Sequence, residues 1–147
     1  QNPVVHSAAM YRAVEARAVG GYPADCGYAQ DLGLWLRLAE RGRIGTIGEY
    51  LARHRTSASN MTLSKASRSM VAKDTLESLV YARRHLQLSP DARRRSREEI
   101  TIATCRYALA LASTGRLADG LIMFGRAALL NPRGVLWNRV YRTILFG

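Results

Sequence analysis

From Leu63 onward the sequence keeps a helical pattern, interrupted only at LSPD (88–91), STGR (113–116) and NPRG (131–134). Proline cannot continue a helix and glycine readily closes one. These breakers therefore divide the region into helices expected over 66–87, 91–113, 117–130 and 135–146. Met70, Leu76, Leu79, Val80 and Leu86 recur at helical spacing in the first. Ile100, Ile102, Ala103, Tyr107, Leu109 and Leu111 do so in the second, after the basic run ARRRSR. Such a region can bury its apolar faces only by packing helix on helix.

The leading part, up to Thr62, differs. Val4 to Tyr11 predicts a strand running into a short helix over 12–18, which GGY (20–22) ends because glycine accepts the left-handed conformation. A helix opens near Asp31 and closes near Gly42. RIGTIGEYLARHR (43–55) spaces Ile44, Ile47 and Leu51 as one irregular strand or two short ones. The expected fold class is α/β passing to mainly α, with residues 1–62 as one part and 63–147 as a helical extension.

Hydrophobic residues make up 48% of the chain, which excludes a disordered class. No apolar run approaches the ~20 residues of a membrane-spanning helix, and no charged-then-apolar leader is present. The first residues, QNPVVHSAAMY, lack Met and read as the interior of a longer protein. Cys26 and Cys105 match no metal or redox spacing and form no ligand pattern with His6, His54 and His85, so free thiols in a reducing, cytoplasmic setting are expected. Charge is uneven. Residues 1–62 carry seven arginines against five acids; residues 63–147 carry thirteen arginines and two lysines against six acids. The second part is the one suited to phosphates or anionic lipid, unless its arginines merely solvate helix faces.

Asp31 is the candidate reactive group. Positions 31, 34, 35 and 38 share one helical face, so Asp31 lies beside Leu34, Trp35 and Leu38. An acid at a helix start is favoured as a carboxylate by the dipole and free N–H groups. It can serve as a cap or accept a proton from a substrate hydroxyl.

The order NPVVHSAAMYR, GGYPADCGYAQDLGLWLRLAERGRI, YLARHRTSASNMT resembles the C-terminal half of the catalytic domain of a family-2, inverting glycosyltransferase of the GT-A fold. That family has a strand of the type hxSxMxR, a helix ending in GGY, an EDxxLWLRLAxxG helix, and a strand closing as LxxYRxHxxSxS. The resemblance covers residues 2–62 and implies the end of a nucleotide-diphospho-sugar transferase fold. It implies that Asp31 deprotonates an acceptor hydroxyl as that oxygen attacks the anomeric carbon of a nucleotide-sugar. It also places Gln30, Gly21, Tyr22, Trp35, Arg55 and His6 at the substrate. Gln30 stands where the family has Glu, and Ser57 where it has His; Arg55 is retained and can offer its fork to a phosphate. On the apolar face Trp35 also reads as core, and Gly20 and Gly21 also read as a simple chain reversal. Mg²⁺ or Mn²⁺ would enter through a D-x-D motif that precedes this region in the family. This sequence contains neither D-x-D nor a Gly-rich phosphate loop, so the chain alone is expected to be inactive. The implied setting is synthesis of a bacterial cell-envelope polysaccharide, with a glycan or lipid-linked acceptor.

In the tail, Gly115, Gly120, Phe124, Ala127 and Pro132 fall on the spacing of one tetratricopeptide-like hairpin, and a single copy cannot bury its own apolar face. GVLWNRVYRTILFG (134–147) sets Leu136, Val140 and Ile144 on one row and Trp137, Tyr141 and Leu145 on the next, flanked by Arg133, Arg139 and Arg142. Residues 133–147 thus fit either peripheral contact with the inner face of the plasma membrane or docking on the preceding hairpin. Two further classes compete: a non-enzymatic helical interaction module, and a basic domain that binds membrane surfaces. Nucleic acid is not expected, because ARRRSR lacks interleaved aromatics and a recognised motif.

Overall fold

A computed structural model describes residues 4–53, 55 and 67–137. The helices within it follow from their terminal residues. After a single 3-10 turn at His6–Ala8, α1 (Ala13–Ala18) ends in a Schellman motif. Gly20 and Gly21 have φ of 81° and 68°, and their amides return to Arg17 O and Ala16 O at 3.0 and 2.8 Å. α2 spans Gln30–Ala39 and α3 spans Arg68–His85. At the head of α4 (Pro90–Ser113), Ser89 Oγ accepts from the Ala92 amide at 3.2 Å, with Pro90 in the first turn. α4 ends as α1 does. Gly115 (φ 84°) and Arg116 donate to Ala112 O and Leu111 O, and this sharp turn starts α5 (Leu117–Leu130). α6 (Pro132–Trp137) is opened by Asn131, whose Oδ1 accepts from Gly134 N at 2.9 Å.

α4 is the central element. α3 packs on one side of it and α5 on the other, with α6 across α4 and α5. The α4–α5 approach is close because Gly120 has no side chain: a Cβ there would lie 2.8 Å from Ala108 O. Cys105 and Ala127 are fully buried at this crossing, joined by Val135 and half-buried Phe124. The far end of α5 is capped from α4, where the Arg97 guanidinium donates twice to Leu130 O, through Nε at 2.7 Å and through Nη2.

The resemblance to a GT-A transferase does not carry over to the fold. That fold needs a sheet core, and the described residues contain no strand. The α/β expectation is corrected to an all-helical one. The reason is that a strand is stabilised only by a partner edge and by burial of one face. Among the described residues neither exists for the two candidate segments. Val4 to Tyr11 forms the 3-10 turn with irregular flanks, and residues 43–53 run unpaired with Ile44, Ile47 and Leu51 54%, 66% and 69% exposed. The inward face of α3 also differs from the expected one. Asp74, Ser78 and Ala82 are its buried row, whereas Met70 is half exposed.

Several expectations lie outside the described residues: the strand-closing motif at 54 and 56–62, including His54 and Ser57, and the last helix beyond residue 137. The proposed membrane stripe of 133–147 falls there in large part. Among the described residues, no helix is long and apolar enough to cross a membrane.

Candidate functional site

α2 carries the candidate site at its N-terminal end. Its buried side is made by Leu32, Gly33, Leu34 and Trp35. Pro23 packs directly on Gly33, where a Cβ would meet the proline ring at 2.5 Å, so the loop at 22–29 crosses the helix closely. A second tie holds this loop to α3: the Tyr28 amide donates to the buried Asp74 carboxylate at 2.8 Å. Cys26 Sγ lies 4.0 Å from Ser78 Oγ, one turn further along the same row. Burial raises the pKa of the Cys26 thiol, and the Asp74 charge adds to that rise, so the sulfur is not activated as a nucleophile.

Asp31 is half buried in the first turn of α2. It is not the N-cap residue, a position held by Ala29 without a side-chain bond. Asp31 Oδ1 instead accepts from the next amide, Leu32 N, at 2.8 Å. Gln30, the first residue of the helix, is exposed, and Gly21 sits in the left-handed turn after α1.

Over the start of α2 lies a small aromatic cluster. Tyr22 Oη is 2.8 Å from His6 Nε2 and 2.9 Å from Tyr11 Oη, so one phenol joins an imidazole to a second phenol. The rings of His6 and Tyr11 both meet the Trp35 indole edge-on, at 6.1 and 5.4 Å. Trp35 is 6% exposed, and its Nε1 has no hydrogen-bond partner among the described residues. The hydrogen bond with Tyr11 keeps the Tyr22 phenol protonated, and desolvation and the charges of Tyr11 and Asp31 act the same way; its pKa is pushed up to about 12. The Asp31 charge is the smallest of these influences.

His6, Tyr22 and Trp35 therefore stand together, with Asp31 acting on Tyr22. Tyr11 completes the group and was not among the residues singled out from sequence. Its only signal is its place six residues before Arg17 on the way into GGY, which no periodicity marks as inward. Arg55 is exposed and stands between residues outside the described set. Chemically, the cluster presents hydroxyls, an imidazole and a carboxylate beside an indole. Among the described residues, no three His, Cys, Asp or Glu side chains gather to hold a metal ion.

No family model matches the sequence, and neither the curated proteins nor the solved structures contain a significant match to it.

Proposed function

We propose that the Asp31 face is the acceptor side of a glycosyl-transfer reaction, carried out by a longer protein to which these residues belong. The Asp31 carboxylate takes the proton of an acceptor hydroxyl. The freed oxygen attacks the anomeric carbon of a nucleotide-sugar, and the bond from that carbon to the diphosphate breaks with its electron pair leaving on the diphosphate. Attack from the side opposite the leaving group inverts the centre. Tyr22, Tyr11 and His6 exchange hydrogen bonds with the remaining hydroxyls, and Trp35 forms the apolar floor beneath them. The nucleotide-sugar and any divalent metal it needs would be held outside these residues.

The observation that supports this reading is the linked His6–Tyr22–Tyr11 hydrogen-bond chain, set over Trp35 within the electrostatic reach of Asp31. The test is sugar transfer by the full-length gene product, supplied with a panel of nucleotide-sugars and glycan or lipid-linked acceptors. Asp31→Asn keeps the shape and the helix-start hydrogen bond and should lower turnover by at least about 100-fold, at the low end of what a positioned base contributes. Equal turnover by the variant, or no turnover with any donor, refutes the assignment.

A further inference from the structure

The basic residues of the helical part gather where α3 ends and α4 begins. Arg83, Arg84 and Arg93 line a cavity of about 450 Å³ whose apolar wall is Val80, Ile100 and Leu130. Arg83 is held in place by carbonyl and hydroxyl acceptors, donating to Arg93 O at 2.5 Å and to Ser96 Oγ at 2.8 Å. Arg97 is likewise spent on a backbone carbonyl at the end of α5. Of the arginines at this end only Arg94 is in an ion pair among the described residues, with Asp91 at 3.7 Å. Glu98 and Glu99 follow on α4, and neither lines the cavity. The positive charge around the cavity is therefore uncompensated at its lining.

Next to this cavity is an apolar strip. Leu130 lines the cavity and is 39% exposed, and Leu129 beside it is 85% exposed. Leu117, Leu121 and Ile122 continue the exposed strip along α5 at 64%, 73% and 57%. Helical spacing puts Leu117, Leu121, Leu129 and Ile122 on one side of α5. Bare leucines alone define no partner. Bare leucines adjoining a guanidinium-lined hollow match one surface in particular, a phosphate layer lying over hydrocarbon.

We infer that the end of the α3–α4 hairpin and the exposed side of α5 form a docking surface for anionic phospholipid membranes. Arg84 and Arg93 meet lipid phosphates, Arg83 backs them, and Leu129 and Leu121 enter the acyl boundary. This surface shares no residue with the Asp31 face.

The experiment is co-sedimentation of the purified protein with vesicles of phosphatidylcholine alone and of phosphatidylcholine mixed with phosphatidylglycerol. Binding is expected to the anionic vesicles only, weakening as salt is raised. At roughly fivefold per basic residue, the double variant Arg84→Glu and Arg93→Glu should lose at least about 30-fold in partitioning. Leu129→Ser, at an exposed position where folding is not at stake, should also weaken binding. Circular dichroism of each variant verifies that the helices persist, and Arg84→Gln with Arg93→Gln supplies the milder pair if the reversal unfolds the protein. Equal binding to neutral vesicles, unaltered binding by the folded variants, or no vesicle binding overturns the proposal. So does binding to a duplex oligonucleotide in place of the vesicles.

Discussion

Asp74 offers the sharpest test of how the candidate site is held. The residue is 7% exposed, and its carboxylate accepts the Tyr28 amide at 2.8 Å across a separation of 46 residues. A hydrogen bond to a charged group contributes about 1.5–3 kcal/mol. Asp74→Ala removes it, but two gains offset part of the loss. Tyr28 is only half buried, so its amide can turn to water, and alanine is the better helix former by up to ~0.7 kcal/mol. The net destabilisation is then about 1–2 kcal/mol, which for a chain of this size lowers Tm by roughly 2–8 °C. Asp74→Asn keeps a neutral acceptor and should lose about half as much. Thermal unfolding followed by circular dichroism measures both. Two local readouts accompany it: the Tyr28 amide should exchange faster with deuterated water, and Cys26 should react faster with a thiol reagent as the loop lifts off α3. A variant that melts with the wild type and leaves Tyr28 exchange unchanged would show that the tie does not hold the loop.

Three further outcomes follow from the same geometry. Gly120→Val should destabilise by about 1–3 kcal/mol because its Cβ meets the α4 backbone; Gly125→Ala, where nothing lies within 4 Å, should stabilise by up to about 1 kcal/mol, both read by denaturant titration. Tyr22, with its pKa raised from 10.0 to about 12, contributes stability that is present below pH 10 and is lost between pH 10 and 12, since the unfolded phenol ionises first. Ultraviolet titration of phenolate should show one late tyrosine, and Tyr11→Phe should bring it back toward the ordinary value. Cys105 is fully buried, and burial raises its thiol pKa to about 11; a thiol reagent should label Cys26 slowly and Cys105 only on unfolding.

The helical part was readable because its signals are local. Ser89-Pro90-Asp91 and Thr114-Gly115 carry their own start and stop chemistry, so α4 and α5 could be placed without knowing what they pack on. The strand expectations failed for the opposite reason. Val4, Val5, Ile44 and Ile47 have strand-favouring side chains, but a ladder depends on a distant edge that short-range pattern cannot supply. A likeness of motif order across residues 2–62 gave no physical substitute for that edge. α3 misled in another way: its most buried row begins with an acid, Asp74, and no apolar count finds a carboxylate whose partner is a backbone amide far upstream. At the site, Asp31 was placed at a helix start from sequence, yet the cap fell to Ala29, whose methyl group cannot hydrogen-bond and so does not advertise it. The pairing of Tyr11 with Tyr22 depends on the chain reversal at Gly20 and Gly21, whose exact path fixes which rings meet.

The Asp74–Tyr28 tie also sets an order of assembly. The α4–α5 hairpin joins neighbours in sequence, and contacts of that kind form early because little chain must be gathered to make them. Seating the loop at 22–29 on α3 instead closes a long excursion of chain, an entropic toll exacted before any contact rewards it. The loop at 22–29 is thus expected to seat only after the α4–α5 hairpin has formed.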